Sequence, residues 1–356
     1  MKNEILVIFT GGTIGSRTTD DAIDVHPDAG YELLQRYSRE HGKPASFTVA
    51  QPYAILSENM LPGDWELLCR TIERYDLSRF AGVIITHGTD TLAYTAAAIS
   101  YRFNRTPVPI LLTASNYPLD HPRTEALRNF AACVEMIEND PPPGIYVVFE
   151  DDLRGMLVHL GTRVRQSEPF TDRFASIYDE PFGAIENGKL IIHPSRIHPS
   201  AGHLRAWYER PIIDGNVRFT GDILFVKPYP GFRYTHLQIS DRRPDAVLIE
   251  LYHSGTTGLR FADADDSLES FAASCRSAGI PIYIAPMKTK TDGLYATSHD
   301  LLSYGVIPLP NMSVEAALVK LMLAYGSLTD RREIERLLAT NLFYEIAEVS
   351  DQGDRR

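Results

Sequence analysis

Short β-branched runs, separated by longer stretches of helical spacing, constrain this chain more than any other feature. Ile5–Phe9, Gly82–Thr86, Pro109–Thr113 and Ile145–Phe149 are apolar on nearly every residue, as strands buried on both faces are. Between them, Asp64–Glu73, Thr91–Arg102 and Arg123–Ile137 repeat their apolar residues at helical intervals. This β-α-β rhythm predicts a mainly parallel sheet flanked by helices. It blurs between about Ile192 and Thr220, where Pro194, Pro199 and Pro211 interrupt any periodicity. A second series follows, with strands over Asp222–Val226, Ala246–Leu251 and Ile280–Ala285. Its helices fall over Ser267–Ala278, Ser313–Tyr325 and Asp330–Thr340. The expected fold class is therefore α/β with two domains: a larger one over 1–195, a linker over 196–220 and a smaller one over 221–356.

Composition narrows the partners. Hydrophobic residues make up 44%, enough for a sizeable core, and the net charge of −11 argues against nucleic acid and anionic membranes. Cys69, Cys133 and Cys275 are scattered and odd in number, so neither a disulfide framework nor a zinc knuckle is expected. The apolar run after Met1-Lys2-Asn3 is too short for a secretion signal, and no run approaches a membrane span. A cytoplasmic protein is the expectation.

Two strand ends carry chemistry. The first strand runs into Thr10-Gly11-Gly12-Thr13-Ile14-Gly15. Glycines there let the backbone turn and approach a ligand, at the edge where open α/β sheets bind. The adjacent glycines lack the spacing of a dinucleotide loop, and a plain tight turn explains them equally. The strand Gly82–Thr86 runs into His87-Gly88-Thr89-Asp90-Thr91 and then a helix. Asp90 or Thr91 could cap that helix. Two threonines beside glycines in one sheet, one with a carboxylate, also fit an activated hydroxyl beside backbone oxyanion donors.

These two segments resemble the signature segments of the asparaginase/glutaminase family. Leu56-Ser57-Glu58-Asn59-Met60 with Asp64-Trp65, Leu112–Asn129 with Pro118 and Arg123, and Tyr304–Leu323 extend the resemblance over nearly the whole chain. The pattern is similar to that of the cytoplasmic bacterial enzymes. The resemblance implies a two-domain asparaginase-like fold, a threonine nucleophile and no metal or organic cofactor. It implies that Thr13 attacks a side-chain amide. Thr89 and Asp90 belong to a second Thr–Asp–Lys group, and Asp90 also holds the substrate's α-ammonium. It further implies that Ser57 binds the α-carboxylate, that Ser115 contacts the side-chain amide, and that donors near Gly12 and Gly88 hold the tetrahedral charge. A homodimer or homotetramer is implied as well.

The sequence departs from the family at several places. Arg165 occupies the place of the family lysine, and an arginine holds its proton too firmly to relay one. The family tyrosine falls at Ile23 or Asp24, and the nearest tyrosine is Tyr31. Asp20, Asp21, Asp24 or His26 could stand in as a base or be solvated loop residues. Glu58 beside Asp90 favours a cation by Coulomb attraction, or lies at the rim. It also makes the motif similar to that of the asparaginase-like subunit of archaeal glutamyl-tRNA amidotransferase. Thr256 stands where relatives carry an asparagine that reaches a neighbour's site, and His253 is read as a loop histidine. The expected activity is release of ammonia from asparagine or a related small amide. The alternatives are action on a specialised metabolite and a catalytically weak ligand-binding homologue. The tRNA-dependent amidotransferase is the weaker reading, because the chain starts at its first strand and is acidic.

Overall fold

The computed structural model of the protein describes residues 4–19, 22–25, 29–42, 46–211, 213, 215, 217–237, 239, 242–287 and 295–348, without the side chains of 17–19, 22–25 and 29. Two compact units emerge. One comprises the chain up to Val217 together with Leu342–Tyr344, the other Arg218–Asn341 with Glu345–Glu348.

The strands of the first unit are β1 (Glu4–Phe9), β2 (Ser16–Thr19), β3 (Ala22–Val25), β4 (Ser46–Ala50), β5 (Gly82–Thr86), β6 (Pro109–Thr113), β7 (Gly144–Asp151), β8 (Gly155–Leu160), β9 (Gly183–Glu186) and β10 (Lys189–Ile192). Eight of them form one sheet in the order β10-β9-β8-β7-β6-β5-β1-β4, and β2 and β3 make a separate hairpin. From β4 to β7 all pairs are parallel, and from β7 to β10 all are antiparallel. The helices are α1 (Ala29–His41), α2 (Pro62–Glu73), α3 (Leu92–Arg102), α4 (Ala126–Glu138) and the short α5 (Ala201–Arg205). Strand β1 is apolar from Ile5 to Phe9 and buried throughout, because both of its faces meet core. Helix α2 opens with Pro62 in its first turn, where its missing N–H costs nothing, and the Asp64 carboxylate accepts from Leu61 N at 2.8 Å.

The second unit holds β11 (Ile223–Val226), β12 (Ala246–Glu250), β13 (Ile282–Met287) and β14 (Ile307–Pro310), all parallel and adjacent in that order. Its helices are α6 (Leu268–Ser277), α7 (Ala296–Ser303), α8 (Val314–Ser327) and α9 (Arg331–Ala339). Alternation along the strands divides two cores. Val247, Ile249, Ile282 and Ile284 join Leu268 and Phe271 of α6. Ala246, Leu248, Tyr283 and Ala285 join Ala317 and Leu321 of α8 and Ile334 and Leu338 of α9.

The parallel strands and long helices expected from sequence are present. Four further sheet strands, β4, β8, β9 and β10, and the edge strand β14 are additions to that reading. The stretch from Ile192 to Thr220 contains α5.

One polar cluster is wholly enclosed in the second unit. Lys320 on α8 and Glu345 both have no exposed side-chain surface, and their charged atoms lie 2.6 Å apart. The ammonium also donates to the carbonyls of Leu338 and Thr340, at 3.0 and 2.6 Å, and so covers the C-terminal end of α9. All three of its protons are used. Removing one partner strands a buried charge, so Lys320→Met is expected to lower stability by about 3–5 kcal/mol. Replacing both with apolar residues should recover most of that loss. Denaturant midpoints of the two variants check this, and equal midpoints for wild type and Lys320→Met would contradict it.

Candidate active site

Register places three strand ends side by side. Phe9 pairs with Thr86 and Thr86 with Thr113, so β1, β5 and β6 finish level. Thr10, His87 and Ala114 therefore open three neighbouring loops at the carboxyl edge of the sheet, where open α/β sheets bind ligands. The loops are tied together. The Thr10 hydroxyl donates to Thr86 O at 2.7 Å, and His87 N donates to Thr113 O at 2.9 Å. A single further bridge continues the β1 ladder, with Ile55 N donating to Thr10 O and Gly12 N to Ile55 O.

Gly12 and Gly88 bring two of these loops into main-chain contact. Gly12 has φ of 72°, and a Cβ there would lie 2.3 Å from Gly88 N. A Cβ on Gly88 would lie 2.4 Å from Ser57 Oγ. No side chain fits at either position. Thr13 and Thr89 directly follow these glycines, and both are half-buried. Ser16 Oγ donates to Gly12 O at 2.7 Å and holds the turn that Thr13 opens. Ser57 is buried, lies 3.4 Å from Asp90 Oδ2 through its hydroxyl, and accepts the Thr91 hydroxyl at its carbonyl, 2.8 Å away. The N–H groups of Gly88 and Thr89 have no acceptor among the described residues.

Behind the Gly88–Thr89 turn runs a directed chain of hydrogen bonds. His87 Nδ1 faces Gly88 O at 2.8 Å, and a carbonyl carries no proton, so Nδ1 is the protonated nitrogen. Nε2 must then accept, and the Thr95 hydroxyl donates to it at 2.9 Å. Thr95 Oγ1 in turn accepts from Trp65 Nε1 at 2.9 Å. Trp65 on α2, Thr95 on α3 and His87 are all buried. Burial pushes the His87 imidazole down to about 4, against weaker upward pulls from Gly88 O and Asp90. It is neutral and structural at ordinary pH. From sequence, Trp65 and His87 stand out only as parts of motifs, because their link through Thr95 requires knowing that α2 and α3 lie together.

The residues singled out from sequence divide. Gly12, Thr13, Ser57, Gly88, Thr89 and Asp90 come together. Glu58 is exposed beside Ser57, and neither it nor Asp90 has a cationic partner among the described residues. Ser115 is fully buried, and its hydroxyl donates to Tyr117 O. Arg165 is exposed. Its main-chain N–H donates to Ala175 O at 2.7 Å, but its guanidinium has no hydrogen-bond or ion-pair partner among the described residues. Two residues earlier, the buried Arg163 donates to Tyr344 O and Ile197 O, each at 2.6 Å. Asp20, Asp21 and His26, and the side chains of Ile23 and Asp24, lie outside the described residues. Among the described residues no group of three or more His, Cys, Asp or Glu could hold a metal ion, and no helix is long and apolar enough to cross a membrane.

Comparison with known proteins adds a family context. A family model described as the N-terminal part of asparaginase matches residues 4–198. The chain is 29% identical to the L-asparaginase of Thermococcus kodakarensis, over 96% of this chain and 99% of that one. It is also 29% identical to a subunit of the glutamyl-tRNA(Gln) amidotransferase of Metallosphaera sedula, over 97% of this chain and 77% of the relative. The solved structure of the thermostable Thermococcus kodakarensis L-asparaginase superposes with a TM-score of 0.77 at 27% identity, covering 97% of this chain and 99% of that one.

The neutral His87 makes stability depend on pH. Its unfolded imidazole takes up a proton near its ordinary value of about 6.5, while the folded one does so only near 4. Its contribution is complete above about pH 6.5 and is lost progressively as pH falls toward 4. The expected loss is about 3 kcal/mol over that window. Denaturant midpoints at pH 7, 5.5 and 4.5 should converge less steeply in His87→Gln than in wild type. Parallel pH dependences would show that His87 ionises freely in the folded protein.

Proposed function

This chain belongs to the asparaginase family and is an asparaginase-like amidohydrolase, and from that premise we propose that it releases ammonia from the carboxamide of asparagine or a related small amide through a threonyl acyl-enzyme on Thr13. The observation that supports this reading is the contact between the Gly12 and Gly88 loops. It sets the two half-buried threonines at one crevice beside Ser57 and Asp90.

In this reading the Thr13 hydroxyl attacks the amide carbon, the C–N bond breaks as ammonia leaves with the proton, and water then hydrolyses the ester. The unpaired N–H groups of Gly88 and Thr89 supply donors for the tetrahedral oxyanion. Asp90 and Glu58, carboxylates without a cationic partner among the described residues, attract the substrate's α-ammonium, and Ser57 meets its α-carboxylate. Thr89 and Asp90 form the second polar group, and Arg165 stabilises negative charge without relaying a proton. Relatives named as parts of the glutamyl-tRNA(Gln) amidotransferase match across most of the chain. Glutamine therefore stands beside asparagine as a substrate to test.

Two outcomes are expected. Thr13→Ala should fold normally and lose about a thousandfold or more in ammonia release from a panel of asparagine, glutamine and small amides. A near-normal rate would move the chemistry elsewhere. Arg165→Lys should raise asparagine turnover by restoring an ionisable amine near the site. If neither kcat nor KM moves by more than about twofold, roughly 0.4 kcal/mol, position 165 lies outside the machinery.

A further inference from the structure

The sheet of the second unit also ends neighbouring strands together. Val226, the last residue of β11, pairs with Ile249 of β12, so the loops that follow these parallel strands leave from one carboxyl edge, where open α/β sheets bind ligands. Those two loops, with Thr297 of α7, line a cavity of about 910 Å³, a size in the range of small-molecule sites.

One wall is aromatic and preset by a turn. Phe232 N donates to Tyr229 O at 2.9 Å across Pro230 and Gly231, and Gly231 has the positive φ, 87°, that its place in a type II turn needs. The turn holds the Tyr229 and Phe232 rings edge to face, 5.4 Å apart. Phe232 meets the Tyr234 ring at 5.0 Å, and Tyr234 meets Phe261 at 6.0 Å. Tyr229 and Tyr252 line the cavity and are exposed, so ring surface is left over for a ligand to cover. The second loop is also held, with Tyr252 N donating to Thr256 O at 2.8 Å and the Ser298 hydroxyl to Gly255 O at 3.2 Å.

Two hydroxyls of the lining have nothing to bond to. Tyr234 is 2% exposed and Thr257 6%, yet neither hydroxyl has a hydrogen-bond partner among the described residues. The two are neighbours, since Thr257 eases the Tyr234 phenol back from the rise that burial gives it, but their geometry falls short of a hydrogen bond. A buried tyrosine hydroxyl ordinarily finds a partner, and an unpaired one costs free energy that an arriving acceptor relieves. Of the charged groups on the cavity, Arg233 is held by Asp266 at 2.7 Å, and Asp263 caps the turn at Ala264–Asp266 by accepting from Asp265 N. The Arg260 guanidinium has no hydrogen-bond or ion-pair partner among the described residues.

We propose that this cavity is a binding site built by the second unit alone, and that it takes a small aryl carboxylate. The ring covers Tyr229 and Tyr252, and the carboxylate accepts from the hydroxyls of Tyr234 and Thr257 under the attraction of Arg260. The site is independent of the amidohydrolase reading, which stands or falls without it.

Titration calorimetry on the full chain tests this with phenylacetate, cyclohexylacetate and 2-phenylethanol. Phenylacetate is expected to bind about threefold or more tighter than cyclohexylacetate, which lacks the aromatic ring, and about tenfold or more tighter than 2-phenylethanol, which lacks the charge. Tyr234→Phe and Thr257→Val each remove one hydroxyl and keep the shape, and each should weaken phenylacetate about threefold or more. Arg260→Gln should weaken it about fivefold or more and narrow its lead over 2-phenylethanol. Because the hydroxyls have no partner to lose, Tyr234→Phe and Thr257→Val should match or exceed wild type in denaturant midpoint, which keeps the binding comparison free of misfolding. No saturable binding of phenylacetate up to about 10 mM, or equal affinity for either comparison compound, would overturn the proposal. Binding that all three variants leave within about twofold would place the ligand elsewhere and overturn it as well.

Discussion

The main chains at Gly12 and Gly88 pass so closely that a methyl group on either would overlap its neighbour, Gly88 N in one case and Ser57 Oγ in the other. This approach is possible only because β1 and β5 are adjacent, parallel and in a register that ends them together. The β-α-β connections produce that adjacency, and the buried apolar strands fix the register, since a one-residue slip would turn each strand's packing over. Core composition and site geometry are thus one constraint. A change in the packing of Ile5–Phe9 would move Thr13 relative to Thr89.

Around that contact, polar side chains are buried where the sheet ladder ends and main-chain groups lose their partners. His87 takes Gly88 O, Asn129 takes Ala114 O and the Glu150 N–H, and Thr10 takes Thr86 O. Each is committed to holding the main chain. Along the crevice the main-chain N–H groups of Gly88 and Thr89 have no acceptor, and the carboxylates of Asp90 and Glu58 have no cationic partner, among the described residues. The crevice therefore offers neutral dipoles to a developing anion and negative charge to a cationic substrate group, on different loops.

Sequence reasoning reaches the elements whose signal is local. The central strands read out because burial on both faces removes polar residues from them, and the two threonine segments read out because the glycines leave no alternative side chain. The antiparallel edge is harder. Strands β9 and β10 are four residues each and mix exposed with buried positions. Their one strong mark is the Asn187-Gly188 turn, with φ of 50° and 75°, the conformation a two-residue hairpin requires. Arg165 illustrates the opposite difficulty. Counting along a loop gives its position in the chain, but whether its side chain turns inward depends on the pairing of Val164 with Ser176, which spacing does not reveal. Asn129 looks like an ordinary member of a helix start until the loop it holds is seen.

The return of Leu342–Tyr344 to the first unit bears on how the protein is made. Phe343 is buried in that unit's core, its carbonyl accepts from Thr162 across 181 residues of sequence, and Asn104 and Arg163 hold the carbonyls on either side. On the ribosome, a chain that has released every strand of the first sheet still lacks this plug until nearly all of the second unit has followed. The N-terminal unit must therefore wait, partly open, while the whole second unit is synthesised. Its final closure is a contact of very long sequence separation, the kind whose loop entropy slows folding most.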